Sequence, residues 1–296
     1  MNARTAVMVI GNFDGVHTGH QAVIAEARAH AMSTGLVLQA LTFDPHPASV
    51  LGDRQIPKLC TLGRRLELLQ SAGADEVVVM SFTTSFAQTS PAEFARILAG
   101  HGVAYVVVGE NFRFGKDRVG DVAMLADLGA SLGFEVHSTQ LFGASDAPVS
   151  SSRIRACLQE RDVARAHQML GRPHRIGGLV VHGDARGRTM GFPTANLDAV
   201  AEMLPGLGVY AAHARLQDGR QLDAVLNIGV RPTVGGQELR IEAHLLDVEL
   251  DLYGQSLSFD LVASLRSEKR FHSLDALRTQ IAQDVQSARM CLRVGA

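Results

Sequence analysis

The sequence has no tryptophan and only three tyrosines, and aromatic residues make up 5% of it. A surface that stacks on single-stranded nucleic acid needs interleaved aromatics, so nucleic acid is not an expected partner. No charge of one sign dominates: 28 Lys and Arg stand against 30 Asp and Glu, a net charge of −2. So balanced a chain exerts no long-range pull on a bulk polyanion, and any anionic partner is expected to be small and met by local donors. Cysteine is scarce. Cys60, Cys157 and Cys291 lie far apart and form no CxxC pair. That argues against a disulfide framework or a cysteine zinc site, and fits a reducing compartment. No apolar run approaches the ~20 residues of a membrane span, and the one near the start is too short for a signal-peptide core. The expectation is a cytoplasmic protein with no membrane partner. The phosphate-loop signature GxxxxGK[ST] is absent as well.

What is present is a chain of 296 residues, 46% hydrophobic, long enough for one large domain or two ordinary ones. Its halves differ in pattern. In the first, strand candidates Ala6 to Ile10, Leu36 to Thr42, Glu76 to Met80, Tyr105 to Val108 and Phe134 to Ser138 alternate with helical patterns. The helices are Gln21 to Met32, Leu62 to Ser71, Pro91 to Ala99 behind a Ser90 cap, and Val122 to Leu132. Continuous apolar strands separated by helices predict a Rossmann-like, doubly wound parallel sheet covered on both faces. After about residue 170, short strands split by turn residues predict a small antiparallel sandwich or barrel, closed by one helix from Leu274 to about Leu292. Two domains are expected, 1–170 and 171–296, joined near Gln159 to Gly171.

The chemistry of the first half gathers on loops after strands. GNFDGVHTGH, Gly11 to His20, leaves strand one and enters helix one. Gly11, Gly15 and Gly19 let backbone approach a ligand, and a helix start offers N–H groups and partial positive charge to phosphate. His17 and His20, three apart, can share one side of the turn and donate to phosphate oxygens. A zinc pair or an idle loop would use the same two residues, although zinc needs further ligands that no nearby Cys or His supplies. FDPHP, Phe43 to Pro47, and VGENFRFGKDRVGD, Val108 to Asp121, follow later strands, where ligands of open parallel sheets bind. The alternatives are a rigid turn and a solvated cationic face. VSSSRIR, Val149 to Arg155, leads a triple Ser into a short helix with two arginines, or is simply a good cap.

The second half carries HGDARGRTMGFPTANL from His182 to Leu197. Gly183 to Arg188 form a small basic glycine loop suited to polyphosphate. Thr194 and Asn196 offer the hard oxygens that Mg²⁺ accepts beside phosphate, unless PTAN is an ordinary turn. In LRIEAHLLDVELDLYG, Leu239 to Gly254, Glu242 and His244 share one strand face. Glu242 is either a general base or a solvated strand residue. LRSEKRF, Leu265 to Phe271, reads as a surface turn or a lid over an aromatic ligand.

Taken in order, GNFDGVHTGH, FDPHP, VGENFRFG and SSSRIR, then GRTMGFPTANL, GVYA, NIGVRPT, EAHLLD, DLYG and LRSEKRF, resemble the bacterial bifunctional riboflavin kinase/FAD synthetase family. Its first half is a member of the HxGH nucleotidyltransferase superfamily. The resemblance implies two reactions: ATP phosphorylates riboflavin to FMN, then adenylylates FMN to FAD with release of pyrophosphate, with Mg²⁺ as cofactor. In the adenylyltransferase, Asn12, His17 and His20 would hold the ATP phosphates and stabilise the transition state. Gly11, Phe13, Asp14, Gly15 and Gly19 would complete that nucleotide loop. Asn111 would contact a phosphate. Ser151, Ser152 and Arg155 would form a second phosphate element, Phe43 and His46 would meet the flavin, and Asp146 would aid the metal. In the kinase, Gly183 and Arg188 would bind nucleotide, and Thr194 and Asn196 would bind Mg²⁺ and ATP phosphate. Glu242 would take the proton of the ribityl 5′-hydroxyl, while Arg266 and Glu268 would close over the flavin. Ala48 stands where the family often has Arg, and Val248–Glu249 interrupt a usual turn. Two rivals are an adenylyltransferase for another phosphate and a regulatory protein that only captures flavin.

Overall fold

The computed structural model describes residues 5–52, 55–139, 148–183, 191–233 and 236–294. Backbone contacts divide the chain into two compact units: Met1–Pro57 with Thr61–Ser150, and Lys58–Cys60 with Ser151–Ala296.

The first unit alternates strand and helix, as the apolar pattern predicts. Strands β1 (Ala6–Ile10), β2 (Val37–Asp44), β3 (Glu76–Ser81), β4 (Val103–Gly109) and β5 (Glu135–Thr139) form a five-stranded sheet in the order β3-β2-β1-β4-β5. All four pairings are parallel. Successive side chains point to opposite faces of a strand, and the burial follows. Met8, Ile10, Leu41, Phe43, Val106 and Val108 enter one core, while Val7, Val9, Leu38, Ala40 and Val107 enter the other. The helices α1 (Thr18–Thr34), α2 (Pro47–Leu51), α3 (Leu62–Ser71), α4 (Pro91–Gly100) and α5 (Val122–Leu132) complete this unit. The Ser90 cap is realised as a capping box with Glu93, with Pro91 in the first turn. The strand order reverses at β1, between β2 and β4, so a crevice opens there at the carboxyl ends.

The expected joint at 159–171 is not a linker. Helix α6 (Ser151–Gln159) is followed by α7 (Val163–Leu170), capped by Asp162 and ended by Gly171 in the left-handed conformation. Val163, Ala166, Met169 and Leu170 are buried, a helical spacing masked in sequence by the flanking Pro and Gly. Helix α7 packs on strands of the second unit, which is why the contact division falls after Ser150 rather than at 170.

In the second unit β6 (His174–Val181), β7 (Ala195–Asp198), β8 (Gly208–Arg215), β9 (Gln221–Thr233), β10 (Gly236–Leu245) and β11 (Ser256–Ser267) close into a barrel in the order β10-β7-β6-β11-β8-β9. Every pairing is antiparallel. Helix α8 (Leu274–Val294) lies against it, burying Ala288 and Leu292 on Val209, Ala211 and Val225. On the wall, buried Asp260 accepts from both Arg175 and Arg215 at 2.6–2.9 Å, and these two guanidinium groups hold its pKa below the usual carboxylate value against the opposing cost of burial. Among the described residues no helix is long and apolar enough to cross a membrane.

Two glycines in helices of the first unit make opposite tests of packing. A Cβ on Gly129 would lie 2.7 Å from the Phe134 carbonyl and 2.8 Å from its ring, whereas one on Gly63 would meet nothing within 4 Å. Gly129→Ala should therefore lower unfolding free energy by about 1–3 kcal/mol, and Gly63→Ala should raise it by up to about 1 kcal/mol, measured by urea denaturation.

Candidate functional site

The GNFDGVHTGH loop is held in an unusual path. Phe13, Gly15 and Val16 have φ of 50°, 81° and 39°. Left-handed backbone is costly for a β-branched residue, on the order of 1–3 kcal/mol, so the surroundings must impose it. They do so through carbonyl groups: Thr42 Oγ1 and Arg65 both donate to the Asn12 carbonyl, at 3.0 and 3.1 Å, and Gln21 donates to the Val16 carbonyl at 2.8 Å.

Arg65 is the functional residue that motif reading overlooks. It is 3% exposed on α3, and besides Asn12 it donates to Thr42 Oγ1, the Phe43 carbonyl and the Asp44 carboxylate. One guanidinium thus ties the loop after β1 to the end of β2. The signal was available, since Arg65 falls between Leu62 and Leu69 on the apolar face of its helix.

Histidines 17 and 20 stack, with ring centroids 3.6 Å apart and planes 16° apart. His17 caps α1, its Nδ1 accepting the His20 backbone N–H at 3.3 Å. A nitrogen that accepts carries no proton, so the neutral His17 ring keeps its N–H on Nε2. The His20 Nδ1 is buried without a hydrogen-bond partner among the described residues. Burial first, and the facing His17 ring second, push the His20 pKa well below its ordinary 6.5. The His20 ring is therefore held toward its neutral form, in which one nitrogen donates.

Beside this loop a cavity of about 820 Å³ opens at the carboxyl ends of the strands. Gly11, Asn12, Phe43 and Asn111 line it, bringing four expected residues from three loops together. Six of the chain's twelve phenylalanines are there too: Phe43, Phe82, Phe86, Phe94, Phe112 and Phe114. The low aromatic content is concentrated in one place, and Arg113 and Arg118 stand at its edge. Aromatic walls with cations at one end suit a flat, apolar ring carrying a phosphate. Phe13, Asp14 and Gly15 are buried in the loop itself, and Phe13 props the His20 ring edge-on at 5.2 Å. His46 caps α2 by accepting from Ala48 N–H, and Pro47 and Ala48 line the cavity instead. Ser151, Ser152 and Arg155 open α6 in the second unit. Asp146 and Arg188 lie outside the described residues.

In the barrel, Thr194, Asn196, Glu242, Arg266 and Glu268 line one cavity of about 450 Å³. The PTAN motif is not a free turn: its Ala195 and Asn196 open β7, and Asn196 pairs directly with Glu242 of β10. Gly183 packs onto Asn196, for a Cβ there would overlap the amide at 2.6 Å or less. Glu242 is half-buried. His244 on the same strand face donates from Nδ1 to the Pro193 carbonyl at 2.8 Å, fixing the backbone next to Thr194. Arg266 is engaged, bidentate to buried Asp284 of α8 at 2.8–3.0 Å, while lining the cavity. Glu268 accepts the Val230 N–H at 3.1 Å.

A second barrel cavity, about 640 Å³, was not anticipated. Thr194 lines it as well, with Val180, Leu250, Leu252 and Tyr253, and His182 stacks on Tyr253 at 3.8 Å. Thr194 is therefore the side chain shared by this cavity, which Glu249 and Asp251 also line, and the cavity of Glu242. Among the described residues no three His, Cys, Asp or Glu side chains group as metal ligands. Thr194 and Asn196 nevertheless offer a hydroxyl and an amide oxygen to one cavity, a donor set that suits Mg²⁺ only when phosphate and water complete the shell.

The family model described as FAD synthetase matches residues 1–153, and that described as riboflavin kinase matches residues 170–292. The chain is 40% identical over 286 residues to the bifunctional riboflavin kinase/FMN adenylyltransferase of Escherichia coli K12, covering 96% of this chain and 91% of that one. It is 37% identical over 291 residues to the enzyme of the same name from Bacillus subtilis, covering 96% and 91%. A crystal structure described as a macrolide-efflux protein from Streptococcus pneumoniae is 28% identical and superposes with a TM-score of 0.89, covering 98% of this chain and 95% of that one.

The suppressed His20 pKa links the loop to pH. The unfolded chain binds this proton below about pH 6.5 and the folded one does not, so folding stability falls as pH drops through that value. Urea unfolding between pH 7.5 and 5 should show this loss, and His20→Gln should flatten the slope. Arg65→Met should cost about 2–4 kcal/mol, because three oxygen acceptors and one carboxylate lose their donor.

Proposed function

The chain belongs to the bifunctional riboflavin kinase/FMN adenylyltransferase family, and from that premise we propose how its residues divide the two reactions. Riboflavin is phosphorylated to FMN in the barrel, and FMN is adenylylated to FAD in the parallel-sheet unit, ATP serving both. The functional division is 1–170 for adenylylation and 171–296 for the kinase.

In the kinase reaction an alcohol is the nucleophile and needs a base. Glu242 takes the proton of the ribityl 5′-hydroxyl as that oxygen bonds to the γ-phosphorus and the bond to ADP breaks. The flavin occupies the cavity that holds Glu242, and the adenosine of ATP takes the cavity beside Tyr253. The phosphate chain passes Thr194, where the two cavities meet. That shared position is the observation that carries the assignment. Thr194 and Asn196 would hold Mg²⁺, with Gly183 behind the amide. When bound, the metal would neutralise charge on the ATP phosphates and so ease approach of the ribityl oxygen to the γ-phosphorus. His244 keeps Pro193 and Thr194 in place. Glu268 and Phe271 border the flavin, and Arg266 holds that border through Asp284.

In the second reaction the FMN phosphate is already a nucleophile, and no base is required. An FMN phosphate oxygen bonds to the α-phosphorus and pyrophosphate leaves. His17 Nε2–H, His20, the Asn12 amide and the first N–H groups of α1 receive the charge on the transferring group. The isoalloxazine lies among the phenylalanines, with Phe43 on one wall. Asn111, Arg113 and Arg118 face phosphate, and Ser151, Ser152 and Arg155 supply the second phosphate element.

Purified protein incubated with riboflavin, ATP and Mg²⁺ should yield FMN and then FAD by chromatography. Glu242→Gln should cut the kinase rate by about 10²–10⁴-fold while supplied FMN is still adenylylated. His20→Ala should accumulate FMN. EDTA should stop both reactions. Full kinase rate in Glu242→Gln would refute the assignment of the base.

A further inference from the structure

The barrel register places a third polar side chain beside Glu242. Strand β10 is paired on both edges, and Glu242 stands opposite Asn196 of β7 on one side and opposite Asn227 of β9 on the other. Directly opposed residues on one face have Cβ atoms about 4.5–5.5 Å apart. All three side chains line the same cavity. They form a short row across three strands, Asn196–Glu242–Asn227, with the carboxylate in the middle.

The two amides are not equivalent. Asn196 lies on the side of Thr194 and Gly183, where phosphate is handled. Asn227 lies on the far side. Its amide is half-buried and makes no hydrogen bond among the described residues. Two residues along the same strand face is Gly229, and the space its Cβ would fill holds Glu268 Oε1, at 2.6 Å from that point. Glu268 is anchored there by the Val230 N–H. The wall thus runs from the base, past one unengaged amide, to the Glu268 border and Phe271. A carboxamide has two N–H donors and a carbonyl acceptor and carries no charge. That set matches a chain of neighbouring hydroxyls, each both donor and acceptor, and it leaves the charge of the neighbouring carboxylate undisturbed.

We propose that Asn227 is a specificity-determining residue of the kinase, its amide holding the polyol chain of the flavin so that the terminal hydroxyl reaches Glu242. The inference rests on the assignment of riboflavin to this cavity. It predicts selectivity for the side chain of the substrate and indifference to its ring.

The test compares riboflavin with lumiflavin, which keeps the isoalloxazine but has a methyl group in place of the ribityl chain. In Asn227→Ala the KM for riboflavin should rise roughly tenfold, the worth of one to two hydrogen bonds. The KM for ATP, the inhibition constant of lumiflavin against the kinase, and the rate of FMN adenylylation should stay at wild-type values. A parallel rise in the KM for ATP and the lumiflavin constant would overturn the proposal in favour of a structural role. Wild-type riboflavin kinetics in Asn227→Ala would overturn it outright while leaving the kinase assignment standing. Failure of the wild-type chain to form FMN would refute that assignment itself.

Discussion

Strands held by hydrogen bonds along both edges carry the chemistry in both halves. In the first unit β1 lies between β2 and β4, and the loop that leaves it cannot drift, because both flanking strands fix where it begins. In the second unit β10 lies between β7 and β9, so Glu242 has neighbours set by register on each side. A ladder bonded on both edges resists the sub-ångström slips that would spoil a phosphoryl transfer. The less regular parts are then anchored to these strands. Arg65 pulls on the Asn12 and Phe43 carbonyls, and His244 grips the Pro193 carbonyl. In each case a side chain buried or half-buried behind the site holds backbone, leaving other groups to face a ligand.

The near-neutral charge of the chain shapes how anions are met. With a net charge of −2 the chain as a whole exerts no long-range pull on phosphates. In the proposed division positive character is supplied locally, by imidazole N–H groups, a helix start, and Arg113 and Arg118 lining an aromatic cavity. Neutral donors bind a polyanion without a standing charge that must be desolvated in its absence. The two reactions then differ in one demand. An alcohol nucleophile needs a carboxylate base, and the barrel has one in its cavity. A phosphate nucleophile needs none, and in the proposed division the stacked histidines serve as donors.

Much of this was legible in the sequence, and the misses have physical reasons. The continuous apolar runs of β1, β2 and β4 marked a sheet buried on both faces, and the ordered motifs marked the family. Helix α7 was hidden because Pro and Gly around it imitate a linker, although Val163, Ala166 and Met169 keep helical spacing. Arg65 was hidden because charged residues are usually solvated, and only the folded unit shows four oxygen acceptors converging on it. The aromatic cavity was hidden because its six phenylalanines are scattered from Phe43 to Phe114, and composition counts rings without saying where they gather.

By itself the sequence determined the two fold classes, the order of the motifs and the chemical types at each site, since these depend on periodicity and on residues adjacent in the chain. Only the tertiary structure decided what depends on register and burial. It buried His20 and stacked His17 on it, and so held the His20 ring toward its neutral form. It committed Arg266 to Asp284, and it made Thr194 common to two cavities. It set Asn227 and Asn196 on either side of Glu242, because cross-strand neighbours are chosen by the closing of a barrel, which no local pattern encodes.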